Sequence, residues 1–276
     1  MIILDGKKYR DELLEEYKKL IEDEKLTIRL DIIIVGHDEA SEIYVRNKVK
    51  FASFVGIKVV THELESTVLE ENIIDLIEEL NCNEEVTGII LQSPISDGLD
   101  FDACASKIAP RKDIDGFTMM NIDKLYHGVE ALIPCTVKGI IMLLEHYGVD
   151  LEGKNVTIIG RGNIVGKPLA LALTNKNATV TLCHSKTENL AFHTKHADIV
   201  ISATGKRNLV TENMVKDGFI GVDVGINRTG GKICGDFDYE EVKDKASMIT
   251  PVPGGVGPMT VAMIIDNLIK AKRMEK

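Results

Sequence analysis

The fold is decided most clearly by the stretch Val156–Gly166, which reads VTIIGRGNIVG. A β-type run ends at Ile159, and a glycine-rich turn then opens a helical pattern. In such a β–turn–α unit, glycines let the backbone approach a pyrophosphate, and the helix N-terminus offers N–H donors and a positive dipole. Gly160, Gly162 and Gly166 are spaced one residue wider than the usual G-x-G-x-x-G, so ordinary turn chemistry is the alternative. The β–turn–α setting favours a Rossmann-type NAD(P)-binding fold.

The segment after the next β run indicates which nucleotide binds. NAD enzymes usually place a carboxylate there for the ribose 2′-hydroxyl, whereas this chain has the sequence CHSKT, with Ser185 and Lys186. A hydroxyl and a cation at this point, together with Arg161 in the glycine turn, favour a 2′-phosphate and hence NADP as the cofactor. The alternatives are a solvated loop cation for Arg161 and a packed or exposed histidine for His184.

Outward from this unit, β and α patterns alternate along the whole chain. The apolar periodicity predicts helices over Lys8–Glu24, Ser41–Phe54, Leu69–Leu80, Thr136–Tyr147, Ile164–Thr174 and Val261–Lys272. It predicts strands over Leu30–Val35, Ile57–Val60, Thr87–Leu91, Asn155–Ile159, Thr179–Leu182, Ile199–Ser202 and Gly221–Val224. Because the strands are apolar without alternation, we expect parallel sheets covered on both faces. The alternation of β and α patterns stops over Arg111–Thr136. We therefore predict two α/β domains with a cleft between them, the second being the Rossmann-type fold.

Composition excludes several classes of function. The 276 residues carry 43 Asp and Glu against 33 Lys and Arg, a formal charge of −10, which disfavours nucleic-acid partners. The longest apolar runs are far shorter than a membrane span, and Lys7, Lys8 and Arg10 leave no room for the apolar region of a signal peptide. The five cysteines are scattered without a Cys-x-x-Cys pair. We therefore expect a cytoplasmic protein with reduced thiols, no metal site and no membrane partner.

A second candidate site lies in the first half of the chain. Tyr44 and Lys48 are four residues apart on a predicted helix and so share one face, although Lys50 is as good a candidate by spacing alone. Gln92 follows the predicted strand Thr87–Leu91, and ligands of open α/β sheets bind just beyond the carboxyl ends of strands. A lysine shielded from water and oriented by Gln92 is suited to general acid–base catalysis, whereas a solvated helix edge is the alternative.

Two aspartates in the inter-domain segment are further candidates. Asp113 and Asp115 could each accept hydrogen bonds from an aminopyrimidine-like edge of a ligand. An aspartate that caps its own turn is the alternative for both.

Several segments together resemble one family, the bifunctional methylenetetrahydrofolate dehydrogenases and methenyltetrahydrofolate cyclohydrolases. The resemblance spans nearly the whole chain in order, and its proline–glycine run near the end is highly specific. The matching segments are YVRNK from Tyr44, GIILQSP from Gly88, PRKDIDGF from Pro110, PCT from Pro134, GR with IVGKP around Gly160–Pro168, CHSKT from Cys183, DVGIN from Asp223, GD at Gly235 and TPVPGGVGPMT from Thr250.

By this resemblance the chain binds folate in an N-terminal catalytic α/β domain of residues 1–135 and NADP in a Rossmann domain of residues 136–256. The helix of residues 257–276 is expected to pack back on the first domain. The resemblance makes Lys48 the catalytic lysine, Tyr44 a ring that stacks on the substrate, Gln92 the group that tunes the lysine and Asp115 the pterin ligand.

The resemblance also assigns the remaining binding positions and the partners. The substrate-binding set is Tyr44, Lys48, Gln92, Asp115, Pro253, Gly254 and Gly255. The cofactor-binding set is Gly160, Arg161, Gly162, Ile164, Val165, Gly166, His184, Ser185, Thr204 and Ile226. The implied function is oxidation of 5,10-methylenetetrahydrofolate with NADP and hydrolysis of the product to 10-formyltetrahydrofolate, in one-carbon metabolism that supplies purine biosynthesis. Members of this family are typically homodimers.

The chain departs from the family pattern at four positions, where it has Ser93, Val137, Gly162 and Arg207. Gly162 replaces the usual serine, and losing a hydroxyl beside the pyrophosphate or ribose could weaken NADP binding or loosen the choice between NADP and NAD. Two other functions compete with the family's. One is a two-domain NADP dehydrogenase of the shikimate type, and the other is a binding protein that has kept the fold without turnover.

Overall fold

The computed structural model describes the backbone of residues 1–36 and 39–275, with the side chains of all of these except residues 39–41. This part of the chain forms ten α-helices, a short 3₁₀ turn at Glu212–Met214 and eleven strands. The helices are α1 (Gly6–Asp23), α2 (Glu39–Phe54), α3 (Glu70–Cys82), α4 (Phe101–Ala105), α5 (Met119–Tyr126), α6 (Cys135–His146), α7 (Gly166–Asn175), α8 (Leu190–His196), α9 (Tyr239–Val242) and α10 (Val256–Met274). The strands are β1 (Ile2–Ile3), β2 (Arg29–Val35), β3 (Lys58–Leu64), β4 (Gly88–Leu91), β5 (Asn155–Ile159), β6 (Thr179–Cys183), β7 (Ile199–Ser202), β8 (Phe219–Asp223), β9 (Asn227–Thr229), β10 (Lys232–Cys234) and β11 (Ala246–Ile249).

The chain divides into two compact units. The six-stranded unit consists of Met1–Arg10 and Thr136–Thr260, and the three-stranded unit consists of Asp11–Cys135 and Val261–Lys276. Each is named for its largest sheet. Within residues 1–36 and 39–275, no helix has the length and apolarity needed to cross a bilayer.

The sheet of the six-stranded unit has the order β1-β11-β8-β7-β5-β6, and all its neighbouring strands are parallel. Its central strands are apolar on both faces, and every residue of β7 is buried. A core around Val200, Phe219 and Phe237 fills one side of the sheet. The chain leaves β5 first for β6 on one side and then for β7 on the other, so the strand order reverses at β5. Ligands of open parallel sheets bind at such a switch point, beyond the carboxyl ends of the strands.

The first ten residues belong to the six-stranded unit, although we expected residues 1–135 to form one domain. The reason is strand pairing, because β1 adds to the edge of the sheet beside β11. The backbone N–H of Leu4 also donates to the carbonyl of Ile249, at 2.9 Å. A two-residue strand has no periodicity from which this pairing could be predicted.

The three-stranded unit has a parallel sheet with the order β3-β2-β4. Its core joins α3 to the sheet through Ile33, Ile73 and Ile77, all buried. The C-terminal part of α10 belongs to this unit, and its Leu268 is buried close to Gly88 of β4. The parallel sheets of both units confirm the predicted fold class.

Candidate active site

Lys48 and Gln92 form the centre of the site in the three-stranded unit. Lys48 lies on α2 and is half-buried, and its Nζ donates a hydrogen bond to Gln92 Oε1 at 3.0 Å. Lys50 is exposed, with its ammonium 5.4 Å from the centre of the Phe51 ring. Sequence spacing could not choose between these lysines. The structure brings Lys48 to Gln92 and leaves Lys50 in solvent.

Gln92 is held so that its carbonyl oxygen faces the lysine. It follows β4 directly and is only 8% exposed. Its Nε2 donates to the backbone carbonyl of Ser93 at 2.7 Å, so the oxygen end of the amide remains for Lys48. An uncharged acceptor at this distance orients the amine without fixing its charge, as an ion pair with a carboxylate would.

The two aspartates of the 110–118 segment have different surroundings. Asp113 is buried, and its carboxylate accepts hydrogen bonds from the backbone N–H groups of Gly116 and Thr118 and from Asn121 Nδ2, at 2.7–3.0 Å. This is the turn-capping alternative, and it makes Asp113 structural.

Asp115 is partly buried and makes no hydrogen bond to the described part of the chain. Burial raises the pKa of its carboxyl, the positive charge of Lys48 lowers it and Asp113 raises it. The carboxyl of Asp115 therefore lies near enough to Lys48 to feel its charge.

The loop that carries Asp115 is held by two buried groups that no sequence pattern predicted, Lys112 and Asn267. Lys112 is buried and donates through Nζ to the carbonyls of Leu80 and Asn83, at 2.9 and 2.7 Å, and burial lowers its pKa. Asn267 of α10 is fully buried and donates through Nδ2 to the carbonyls of Ile114 and Ile133, at 2.8 and 2.9 Å. Asn267 is a polar residue inside the apolar pattern of its helix, which is a signal in the sequence, whereas Lys112 lies in a charged segment and has no such signal.

Tyr44 lies one turn before Lys48 on the same face of α2, and its side chain is 43% exposed. An exposed ring beside the lysine offers a face on which an aromatic group can stack.

Pro253, Gly254 and Gly255, the other predicted substrate-binding residues, belong to the six-stranded unit. Their loop is tied to the start of α1, because the carbonyl of Gly254 accepts from the backbone N–H of Lys7 at 2.9 Å. Pro253 is exposed. These three residues therefore belong to a different unit from Lys48.

The glycine turn follows β5 at the switch point of the six-stranded sheet. Gly160 has φ +112°, and a Cβ there would lie 2.5 Å from the carbonyl oxygen of Ala203, which follows β7. A Cβ on Gly166, the first residue of α7, would overlap the carbonyl of Gly160. At Gly162 a Cβ would meet nothing within 4 Å. The close packing at Gly160 and Gly166 fixes the turn in the cradle shape that suits a phosphate, and the open space at Gly162 leaves room for a side chain there.

Other predicted cofactor residues surround this turn. Arg161 and Ile164 are exposed and Val165 is half-buried ahead of α7. The N–H of Gly160 donates to the carbonyl of Cys183 at 2.9 Å, which joins the turn to the 184–187 segment.

The 184–187 segment forms its own turn. The N–H of His184 donates to Thr187 Oγ1 at 2.9 Å, and His184 Nδ1 accepts from the N–H of Lys186 at 3.1 Å. Ser185 and Lys186 are exposed at its tip, whereas Thr204 and Ile226 follow β7 and β8 at the same edge of the sheet.

Nucleotide-dependent dehydrogenases bind the pyrophosphate of NAD(P) at a glycine turn at the point where the strand order reverses. The glycine turn of this chain lies at such a point and packs against the end of β7. This chain is of that class, with an additional α/β unit that presents a lysine and a carboxylate.

Two family models cover most of the chain. The NAD(P)-binding domain of tetrahydrofolate dehydrogenase/cyclohydrolase matches residues 134–276, and the catalytic domain of the same enzyme matches residues 4–115. The chain belongs to the tetrahydrofolate dehydrogenase/cyclohydrolase family.

Individual relatives match this chain over nearly its full length. The bifunctional protein FolD of Aquifex aeolicus (strain VF5) is 50% identical over 98% of this chain and 94% of its own. The crystal structure of FolD from Campylobacter jejuni is 43% identical with a TM-score of 0.97, covering 100% of both chains. FolD of Trypanosoma brucei, complexed with NADP cofactor and inhibitor, is 33% identical with a TM-score of 0.94 over 100% of this chain and 98% of its own.

The shikimate-type alternative is only a distant match. Shikimate 5-dehydrogenase from Thermus thermophilus is 14% identical with a TM-score of 0.54, over 91% of this chain and 100% of its own. At this identity the likeness extends to the fold alone.

Proposed function

We propose that this chain performs both reactions of its family, with Lys48 as the catalytic residue of the second. It oxidises 5,10-methylenetetrahydrofolate to the methenyl compound with NADP and hydrolyses that product to 10-formyltetrahydrofolate. The observation that carries the residue assignment is the 3.0 Å hydrogen bond from Lys48 to a buried Gln92, in the same site as a carboxylate without a donor among the described residues. A solvated helix edge would not hold its amine on a buried amide.

Asp115 is proposed to bind the pterin of the substrate. Its carboxylate can accept two hydrogen bonds from the amino group and ring N–H of an aminopyrimidine edge, and partial burial strengthens such charge-assisted bonds. The exposed ring of Tyr44 is proposed to stack on the aminobenzoyl group. Pro253, Gly254 and Gly255 complete the proposed substrate-binding set.

The first reaction needs mainly positioning and exclusion of water. NADP, when bound, accepts a hydride from the carbon that bridges N5 and N10. Lone pairs of these nitrogens stabilise the methenyl cation, so the protein need not supply an acid or a base for this step. Tyr44 and Asp115 are proposed to fix both ends of the pterin-aminobenzoyl unit and so orient the bridging carbon.

The second reaction needs a proton acceptor and a proton donor, and Lys48 is proposed to serve as both. Water forms a bond to the methenyl carbon, and one of its protons passes to Nζ of Lys48, an amine that can accept a proton only in its uncharged form. The bond from this carbon to N5 then breaks, N5 takes the proton from Nζ, and the new hydroxyl loses its proton to solvent as the formyl group forms on N10. Gln92 keeps Nζ directed at the reacting carbon through its Oε1.

The glycine turn and its surroundings are proposed to bind NADP. The N–H groups of the turn after Gly160, including those of Gly162, Ile164 and Val165, would face the pyrophosphate. Arg161, with Ser185 and His184 after β6, would meet the 2′-phosphate end, and Thr204 with Ile226 would line the nicotinamide end. The fit rests on the turn that only glycine can make at two of its positions.

Three further properties are proposed on general grounds. The protein acts in the cytoplasm, since none of its five cysteines, all among the described residues, forms a disulfide. It forms a homodimer, and its 10-formyl product supplies purine biosynthesis, as the family resemblance implies.

One coupled assay tests the proposed function. The pure protein is given methylenetetrahydrofolate and NADP, and formation of NADPH and of 10-formyltetrahydrofolate is followed together. Both should form with the parent protein and with the control Lys50→Met. Absence of NADPH would refute the proposal, and oxidation of shikimate in its place would favour the competing enzyme. Ligand binding without product in a single turnover would identify a silent binding protein.

A further inference from the structure

Two buried carboxylates of the six-stranded unit have no place in the proposed chemistry. Asp223 ends β8 and Asp236 follows β10, and they are 4% and 0% exposed. The two residues are in direct contact, because the backbone N–H of Asp236 donates to Asp223 Oδ1 at 2.9 Å. Neither pairs with a lysine or arginine among the described residues. Burying two carboxylates without a cation is costly and needs compensation by other donors.

The carboxylate of Asp236 accepts hydrogen bonds from residues at the end of β7. Its Oδ2 accepts from Ser202 Oγ at 2.8 Å, from the N–H of Thr204 at 2.8 Å and from Thr204 Oγ1 at 2.9 Å. Three bonds to one oxygen fix both the backbone and the side chain of Thr204. The other oxygen, Oδ1, accepts from Asn227 Nδ2 at 3.2 Å.

The two carboxylates hold the segment around Ile226 from both sides. Gly225, before it, donates its N–H to Asp223 Oδ1 at 3.0 Å, and Asn227, after it, reaches Asp236. The side chain of Ile226 is 48% exposed between these anchors. An apolar side chain kept at the surface by buried bonds on either side is positioned to contact something other than the protein core.

Two glycines make room for the carboxylates. A Cβ on Gly225 would overlap the carboxylate of Asp236, and a Cβ on Gly235 would overlap that of Asp223. The chain thus omits side chains at the two points where each carboxylate crosses the other's segment. Because this packing is tight, each carboxylate can occupy a single position. The groups that donate hydrogen bonds to it are therefore held in a single arrangement.

We propose that Asp236, supported by Asp223, is a positioning residue for NADP that sets Thr204 and Ile226 at the nicotinamide end of the site. The inference rests on the proposed function, in which those two residues contact the cofactor. Asp236 touches neither substrate nor cofactor and acts through the ends of β7 and β8. Its loss therefore weakens nucleotide binding while the lysine site of the three-stranded unit continues to work.

The test compares Asp236→Ala with Asp238→Asn, a control two residues away whose carboxylate accepts from Asn208 Nδ2 at 2.9 Å. NADP affinity is measured by calorimetry, and hydrolysis of added methenyltetrahydrofolate, which consumes no nucleotide, is measured separately. We expect the dissociation constant for NADP to rise about 10-fold or more in Asp236→Ala, with hydrolysis unchanged. Amide hydrogen exchange at Thr204 and Gly225 should accelerate in the same variant.

Asn227→Ala is a milder second variant, because it removes one donor to Asp236 and leaves both carboxylates in place. It should raise the dissociation constant less than Asp236→Ala and should accelerate exchange at Gly225. If Asp236→Ala does not fold, Asn227→Ala decides the matter. Parent-like NADP binding in a folded Asp236→Ala, or in Asn227→Ala if that variant alone folds, overturns the positioning role while the proposed function stands. A parent protein that binds no NADP overturns both.

Discussion

Replacing Gly166 by alanine tests whether the glycine turn is built for a nucleotide. Gly166 is the first residue of α7, where alanine would ordinarily stabilise a helix by up to about 1 kcal/mol. Here its Cβ would lie 2.7 Å from the carbonyl carbon of Gly160 and closer still to the oxygen, whereas real Cβ contacts stay beyond 3.0 Å. The turn must open by about 1 Å, and overpacking of this kind costs about 1–3 kcal/mol. The steric cost exceeds the gain in helix propensity.

The same shift moves the N–H groups that would face the pyrophosphate. A misplacement of about 1 Å can lower activity about 100-fold, so we expect kcat/KM for NADP in Gly166→Ala to fall by about that factor, chiefly through a higher KM. Gly162→Ala is the matched control, because its Cβ meets nothing within 4 Å and its φ is not positive.

Initial rates of NADPH formation over a range of NADP concentrations measure the effect, and thermal melting verifies the fold. Hydrolysis of methenyltetrahydrofolate, whose proposed catalytic lysine lies in the other unit, should persist in both variants. Equal KM values for NADP in Gly166→Ala and the parent would refute the proposed cradle. So would a loss in Gly162→Ala as large as that in Gly166→Ala.

Four further outcomes are expected. Arg161→Ala should raise the KM for NADP far more than that for NAD, and equal effects would exclude a 2′-phosphate contact. Gly162→Ser has room for its hydroxyl and should lower the dissociation constant for NADP by up to about 10-fold, as one added hydrogen bond allows; weaker binding in calorimetry would contradict this. Burial raises the pKa of Asp223 from 3.8 to about 6, so its stabilising contribution is complete below pH 3.8 and is lost as the pH rises through 6. That contribution is on the order of 3 kcal/mol in the free energy of unfolding, and denaturant titrations should show a flatter pH dependence in Asp223→Asn; an unchanged slope would contradict the shift. Asn267→Leu loses the hydrogen bond to Ile114, next to Asp115, and the one to Ile133, and it should raise the KM for folate without changing NADP affinity, whereas Asp266→Asn on the same helix should not.

The sequence predicts the regular core of each unit well, because periodicity is set by burial. The bounds of β5 and β7 agree with the prediction at both ends. β3 is predicted to end at Val60 but continues to Leu64. The whole of β3 pairs with β2, residue by residue, and in its polar end His62 Nε2 lies 2.7 Å from the buried carboxylate of Asp31. Such a pairing depends on a neighbouring strand and leaves no local pattern.

The site was predictable where residue type and position relative to a strand end decide it. Gln92 after β4 and Gly160 after β5 are of this kind. The choice of Lys48 over Lys50, and of Asp115 over Asp113, depends on which side chain meets a partner in three dimensions. Asp236 and Asn267 act through segments distant in sequence, so no local pattern marks their function.

Replacing Lys48 by methionine tests the central claim most directly, with Lys50→Met as the matched control. The measurement is the rate of methenyltetrahydrofolate hydrolysis, corrected for the uncatalysed reaction, beside the dissociation constant for NADP. We expect Lys48→Met to lose hydrolysis by about 100-fold or more, the usual contribution of a positioned acid–base group, while NADP affinity stays at the parent value. Lys50→Met should retain both. Hydrolysis at the parent rate in Lys48→Met would contradict the assignment of the proton transfer to this amine.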